Sequence, residues 1–167
     1  MTYEIEKKYR LKNPQAMRRL LHKLGAKTTG TGREENLFFD RTGNLSKKRM
    51  TLRLRLYQGK GLLTLKGPRL VTRSKAVRRL ELETPLDFKA AWAILTAMGF
   101  KLWLRYTKRR ETFNLLGSEV VLDYFSGRGW FMEIEGTIRK IEMIEKRLGL
   151  GRNDIEPRSY VEMFRRK

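Results

Sequence analysis

Five residues near the N-terminus, Glu4-Ile5-Glu6-Lys7-Lys8, have the types and the spacing needed for cation and phosphate chemistry. In a β-strand, side chains two positions apart share a face, so Glu4, Glu6 and Lys8 would lie together. Two carboxylates and an ammonium on one surface are either ordinary solvent-facing polarity or a device that holds a divalent cation beside a polyanion. The remaining residues have to decide between these two interpretations.

Composition narrows the chemistry that this surface could support. The 167 residues include 38 Lys and Arg against 18 Asp and Glu, and the net charge of +20 attracts polyanions. Nucleic acid, an anionic membrane surface and a nucleotide or polyphosphate substrate all fit that charge. The absence of cysteine removes disulfides, thiolate metal sites and cysteine nucleophiles, and the single histidine, His22, cannot form a histidine metal site or a catalytic triad.

The sequence contains no sign of a membrane segment or of a domain boundary. The N-terminus has no apolar signal region, and no apolar run approaches the ~20 residues that span a bilayer. No proline- or serine-rich linker, low-complexity tract or repeat interrupts residues 1–167. We therefore expect a single domain that resides in the cytoplasm and has no membrane partner.

Charged and apolar residues alternate in several segments, which is the pattern of half-buried β-strands. The clearest examples lie at 52–56, 63–66, 80–83 and 131–135, and further strands are predicted around 36–40, 104–113 and 119–125. Glycine and proline turn signals between them favour hairpins, so we predict an antiparallel sheet of about eight strands. Helices are predicted at 14–24, 87–98 and 138–148. Together these elements indicate an α+β domain.

The function of the charged face depends on whether the sheet stays open or closes on itself. Helices should cover the apolar face, so the charged face contacts bulk water or, if the sheet closes, its own far side. Periodicity alone favours the open sheet with a solvated polar face. A closed sheet would instead gather nearly balanced charges in a lumen, from Glu4, Glu6, Glu81, Glu83, Glu133, Glu135 and from Lys8, Arg10, Arg53, Arg55, Lys66, Arg79, Lys108, Arg110.

Seven short signatures follow one another along nearly the whole chain. They are Glu4-x-Glu6-x-Lys8, Leu52-Arg53-Leu54-Arg55, Leu65-Lys66-Gly67-Pro68, Lys108-x-Arg110, Leu122-Asp123, Gly129-x-Phe131-x-Glu133-x-Glu135 and Arg158-Ser159-Tyr160. This ordered set resembles the CYTH group, the triphosphate tunnel metalloenzymes, and is most similar to its class IV adenylyl cyclase-like members. The resemblance implies a closed eight-stranded antiparallel β-barrel with helices packed on the outside. It also implies a homodimer, and a tunnel that binds a triphosphate with Mg²⁺ or Mn²⁺.

The resemblance further implies roles for residues that match the motifs. The metal would be held by Glu4, Glu6, Asp123, Glu133 and Glu135. The triphosphate would be bound by Lys8, Arg53, Arg55, Lys66, Lys108 and Arg110, and also by Arg79, which fits the charged face but matches a motif less firmly. The catalytic residues among them would be Lys8, Lys66, Lys108 and Arg110. These roles suit the chemistry, because Mg²⁺ and Mn²⁺ prefer oxygen ligands and because Arg and Lys bind phosphate.

Two reactions fit the resemblance. In the class IV adenylyl cyclase reaction, the ribose 3′-hydroxyl of ATP attacks the α-phosphorus and pyrophosphate leaves. In an inorganic or thiamine triphosphatase, water attacks the terminal phosphorus of tripolyphosphate or thiamine triphosphate. Phe38 and Phe39 stand where some triphosphatase relatives carry a tyrosine, which modestly favours the cyclase. A non-catalytic binder of RNA or polyphosphate is a third hypothesis, motivated by the net charge and by basic segments at 47–49 and 165–167.

Overall fold

The computed structural model describes residues 2–165, so the last two residues of the basic segment 165–167 lie outside the described part. Nine strands form within it. They are β1 (Thr2–Leu11), β2 (Lys27–Asp40), β3 (Thr51–Tyr57), β4 (Lys60–Lys66), β5 (Leu70–Val71), β6 (Val77–Leu86), β7 (Lys101–Leu115), β8 (Ser118–Phe125) and β9 (Gly129–Glu135). Every pairing between them is antiparallel, as the hairpin signals predict.

Eight of the strands close into a barrel. Their order is β1-β9-β8-β7-β2-β3-β4-β6, and β6 pairs back onto β1, with Glu4 opposite Arg79. The short strand β5 continues the edge of β4 along β6 beyond the Gly67-Pro68 turn. Closure confirms the implied barrel and shows that the open sheet favoured by periodicity alone is wrong.

Strands β2 and β7 are longer than the predicted segments 36–40 and 104–113. They span 14 and 15 residues and pair with each other over nearly their whole length. The first half of β2 escapes prediction because residues 27–33 are polar or glycine and carry no apolar alternation. At the other end of β7, Leu116 and Gly117 both have positive φ, 57° and 72°, which matches the twist of a tight hairpin into β8.

The helices begin and end close to their predicted bounds. Helix α1 (Pro14–Lys23) starts with proline after the N-cap Asn13, α3 (Phe88–Ala97) follows the N-cap Asp87, and α4 (Ile138–Leu148) ends at Gly149. Two further short helices, α2 (Asn44–Lys47) and α5 (Tyr160–Phe164), were not predicted. None of the helices within residues 2–165 combines the length and apolar composition needed to cross a membrane.

The apolar residues pack outside the barrel wall and at one end of it. Helices α1 and α4 cover a cluster that includes Tyr9, Leu21, Phe113, Ile134 and Ile141. Helix α3 covers a second cluster that includes Leu37, Phe39, Leu54, Ala91 and Leu95. A third cluster, of Phe38, Tyr106, Phe125, Phe131, Tyr160 and Met163, packs at one end of the barrel beneath α5 without closing it, since Phe38, Tyr106 and Tyr160 line an internal cavity. The charged side chains of the alternating strands are therefore left facing the lumen.

Gly61 on β4 is a sensitive position in this wall. A Cβ atom there would lie 2.5 Å from the carbonyl oxygen of Leu86 and 2.9 Å from the backbone nitrogen of Phe88, where β6 turns into α3. We expect Gly61→Ala to destabilise the protein by about 1–3 kcal/mol because the backbone must move, which lowers Tm by roughly 2–12 °C. Gly151→Ala is the matched control, since its nearest contact would be 3.7 Å away. Equal melting temperatures for the two variants would contradict this expectation.

Candidate active site

A cavity of about 740 Å³ lies within the barrel. That volume is within the range of small-molecule sites. The cavity is lined by eleven of the twelve site residues proposed from the sequence: Glu4, Glu6, Lys8, Arg53, Arg55, Lys66, Arg79, Lys108, Arg110, Glu133 and Glu135. We call the end near the β7–β8 hairpin the lower end of the tunnel, and the end where β7 begins the upper end. The structure thus brings together side chains from six strands that span most of the sequence.

Asp123, the twelfth residue, lies behind two of the cations. Its carboxylate is fully buried and accepts hydrogen bonds from Arg110 at 2.7 and 2.8 Å, from Lys108 at 2.9 Å and from the Tyr160 hydroxyl at 2.9 Å. Burial alone would raise the pKa of Asp123, but Arg110 and Lys108 outweigh it and lower the pKa. A metal-binding role for Asp123 stays a prediction, while its contacts favour a role in holding Lys108 and Arg110 in place.

Glu34 on β2 belongs to the same network and was missed by the sequence analysis. Its buried carboxylate lies 3.2 Å from the Lys108 ammonium, 3.6 Å from Arg110 and 3.7 Å from Arg55. The charges of Arg110 and Lys108 overcome burial and hold the pKa of Glu34 well below its usual value. Continuing the alternation of β2 backward from Phe38 through Asn36 would have found it, but the predicted strand began at 36.

A second network neutralises Lys66. Its ammonium lies 2.8 Å from Glu4 and 3.0 Å from Glu81, and the Arg79 guanidinium donates to Glu4 at 3.1 Å. Burial opposes ionisation of Glu4, yet Lys66 and Arg79 outweigh burial and hold its pKa well below the usual range. Burial raises the pKa of Glu81 to about 8. Lys66 opposes this increase, whereas the neighbouring Glu4 charge adds to it. The pair Glu4 and Lys66 is therefore charged and locked together.

Arg53 and Arg55 on β3 are less completely paired. Among residues 2–165, neither Nε atom has a hydrogen-bond acceptor, although both atoms are buried. Arg53 donates to Thr64 at 3.2 Å and lies 3.4 Å from Glu83. Burial and the nearby Arg55 charge both lower the pKa of Arg53. These two guanidinium groups retain donor capacity for an anion in the cavity.

We expect Arg53→Met to weaken triphosphate binding by about tenfold or more, because charge-assisted hydrogen bonds to phosphate are among the stronger ones. The free energy of unfolding should change by less than about 1 kcal/mol, because the lost pairs are long and because the repulsion between Arg53 and Arg55 is also removed. Calorimetric titration with tripolyphosphate and a melting curve measure the two effects. Unchanged binding would contradict the proposed role of Arg53.

The lower end of the tunnel concentrates carboxylates. Glu6, Glu135 and Glu119 lie directly opposite one another on β1, β9 and β8. Like charges in such positions destabilise a sheet unless a cation neutralises them. Burial, Glu133 and Glu4 raise the pKa of Glu6. Glu135 is exposed at the tunnel mouth, where partial loss of solvation and the charges of Glu4 and Glu119 raise its pKa. Glu119 is a further residue that the sequence analysis did not assign to the site.

These carboxylates fit a hard divalent cation. Within the described part of the chain, no three histidine or acidic side chains are arranged closely enough to hold a metal by themselves. Mg²⁺ commonly takes only one or two protein carboxylates and completes its coordination with water and substrate phosphate. The crowded acids Glu6 and Glu135 match that requirement, because an ion between them would remove their mutual repulsion.

Lys8 and Arg10, two positions apart on β1, have different environments. The Lys8 ammonium lies 3.2 Å from Glu133 and 3.6 Å from the centre of the Tyr160 ring, inside the tunnel. Arg10 is half exposed, pairs with Glu156 at 2.7 Å and is not among the residues that line the cavity. The expectation that Arg10 shares the lumen is wrong, because its guanidinium pairs with Glu156 at the surface and lies 5.1 Å from the centre of the Phe131 ring.

The fold and the site together are those of a closed antiparallel β-barrel with a tunnel lined by paired cations and carboxylates. The family model described as CYTH domain matches residues 2–160, and the chain belongs to this family.

Individual relatives extend this comparison. A protein of Methanocaldococcus jannaschii named "Putative adenylate cyclase MJ0240" is 28% identical, and the match covers 96% of this chain and 97% of that protein. The structure of the PH1012 protein from Pyrococcus horikoshii OT3 is 28% identical with a TM-score of 0.81, covering 97% of this chain and 99% of that one. A third relative is HpAC1 from Hippeastrum, which is named a putative adenylyl cyclase and described as having a dominant triphosphatase activity. It shares the fold with a TM-score of 0.74 at 22% identity, and the match covers 96% of this chain and 94% of that one.

Proposed function

We propose that this protein is a divalent-metal-dependent enzyme that converts ATP to cyclic AMP and pyrophosphate inside the tunnel. The observation that carries the proposal is the convergence of Lys8, Arg53, Arg55, Lys66, Arg79, Lys108 and Arg110 on one cavity that also holds the crowded pair Glu6 and Glu135. Several cations at one place suit the several negative charges of a triphosphate.

The side chains divide the work between binding and positioning. Arg53 and Arg55 would donate to phosphate oxygens, since their Nε atoms have no other acceptor among residues 2–165. Lys108 and Arg110 would neutralise charge on the departing pyrophosphate from positions that Asp123 and Glu34 hold.

Mg²⁺ or Mn²⁺ would be held by Glu6 and Glu135, with Glu4 and Glu133 close by as further candidates. When bound, the ion would supply positive charge at the phosphate oxygens nearest the lower end, which for ATP are those of the departing pyrophosphate.

Hydrolysis of tripolyphosphate or thiamine triphosphate is the second candidate reaction. The same cations would serve a shorter ligand, and the fold shared with HpAC1 does not choose between the two reactions. The name of the archaeal relative MJ0240, and a cavity of about 740 Å³, support the nucleotide reaction. In both cases the chemistry occurs at a phosphorus atom held by the same tunnel.

Product identification tests the proposal. The pure protein is incubated with ATP, tripolyphosphate or thiamine triphosphate, each with Mg²⁺ or Mn²⁺, and the products are identified by chromatography and phosphorus NMR. Cyclic AMP with pyrophosphate is the expected result. Orthophosphate as the main product would replace the cyclase with a triphosphatase. No product with either metal would contradict an enzymatic function and favour the binder of RNA or polyphosphate.

A further inference from the structure

An irregularity in the β2–β7 pairing changes the direction of one tryptophan. Phe38 pairs with Leu104 and the next residue, Phe39, pairs with Leu102, so Trp103 is an extra residue on β7. Such bulges occur at the rims of barrels and beside active sites, where they redirect a side chain. Phe39 packs outside the barrel against α3, whereas Trp103 lines the cavity.

Trp103 forms an apolar shelf with two neighbours at the upper end of the tunnel. Its ring lies 6.2 Å from that of Phe38 in an edge-to-face contact, and the partly buried Met50 lines the same cavity. Trp103 is 37% exposed and lines the cavity, so part of its surface is available to a ligand. The guanidinium of Arg165 lies 5.9 Å from the ring centre, which places a cation next to the shelf.

The shelf adjoins the phosphate-binding cations. Phe38 lies directly opposite Arg53 in the β2–β3 pairing, so the apolar surface begins where the row of cations ends. The lower end of the tunnel has the opposite character, because it carries Glu119 and Glu135. A triphosphate held by the central cations therefore has an aromatic surface available at its upper end and an acidic one at its lower end.

We propose that the Phe38–Met50–Trp103 shelf binds a planar aromatic group attached to the triphosphate, and that Trp103 makes the protein select an organic triphosphate over inorganic tripolyphosphate. Aromatic side chains bind nucleobases and similar rings by stacking, and they do so with little dependence on the particular base. This inference rests on the proposed function, since it names the substrate class of the same tunnel.

The test compares ATP with tripolyphosphate, which lacks the aromatic group. In Trp103→Ala, the ratio of affinity for ATP to affinity for tripolyphosphate should fall by about tenfold, the usual effect of removing one stacking partner. Trp103→Phe, which keeps a flat ring, should restore most of that ratio. Leu102→Ala is the matched control, because this neighbour is also exposed but pairs opposite the outward-facing Phe39. Equilibrium binding measured by calorimetry and kcat/KM for each substrate provide two readouts.

The outcomes separate this inference from the proposed function. An equal loss for both ligands in Trp103→Ala, or an unchanged ratio, would overturn the role of the shelf while leaving the tunnel as a triphosphate site. Failure of the wild-type protein to bind either ligand would overturn the proposed function and the shelf with it. A similar selective loss for thiamine triphosphate would show that the shelf recognises a flat ring in general, and loss for ATP alone would show recognition of a nucleobase.

Discussion

Replacing Glu6 or Glu135 with glutamine is expected to lower turnover of ATP by at least about a hundredfold, because the amide keeps the size of the side chain but loses the charge that would hold the divalent ion. The same change removes repulsion, since Glu6 lies near Glu133 and Glu4 and Glu135 lies near Glu4 and Glu119. Melting temperature should therefore stay equal to that of the wild-type protein or rise. Loss of activity with retained or increased stability is the signature of residues kept for function.

Glu142→Gln provides the control for this prediction. It makes the same change of charge on an exposed position of α4, outside the tunnel, and should leave both turnover and Tm unaltered. Turnover measured over a range of Mg²⁺ concentrations would show whether the loss in Glu135→Gln is partly recovered by excess metal. Wild-type turnover in Glu6→Gln would argue against a carboxylate-held metal at the lower end of the tunnel.

Arg110→Met should produce the largest loss of stability among the tunnel variants, about 3–5 kcal/mol, because it leaves buried carboxylates with too few partners. Arg110 donates to Asp123 at 2.7 and 2.8 Å and to Glu133 at 3.0 Å, and it lies 3.6 Å from Glu34. For a protein of this size the corresponding fall in Tm is roughly 6–20 °C. Activity should fall as well, since a phosphate-binding cation is lost.

Arg53→Met is the matched comparison for that variant, because it makes the same substitution in the same lumen at a weakly paired site. Urea or thermal unfolding of the two variants measures the difference directly. A melting temperature of Arg110→Met close to that of Arg53→Met would show that Asp123 and Glu34 are satisfied without Arg110. A difference in stability between the two variants would distinguish cations that stabilise the barrel from cations that remain available to bind a ligand.

Several features of the fold could be predicted from local patterns. Period-two alternation located the strands that contain Arg53, Lys66 and Glu133, because each of these strands has one apolar and one charged face. Helix ends were predicted within about one residue where Pro14 and Gly149 mark them. The largest part of a strand left unpredicted was the first half of β2, because its glycine and polar residues do not alternate with apolar ones. Glu34 was missed for this reason.

Alternation along each strand established which side chains share a face. The ordered motifs identified the family and ten of the residues that line the cavity, and Arg79 was added from its place on the charged face. Local patterns could not determine whether the charged face contacts bulk water or encloses a lumen. Closure of the sheet depends on pairing between β1 and β6, some 75 residues apart in sequence. Only the tertiary structure placed Asp123 behind Lys108 and Arg110, set Glu119 beside Glu135, and turned Trp103 toward the tunnel. These features depend on the register between strands, which is a property of distant segments in contact and which a one-residue bulge is enough to change.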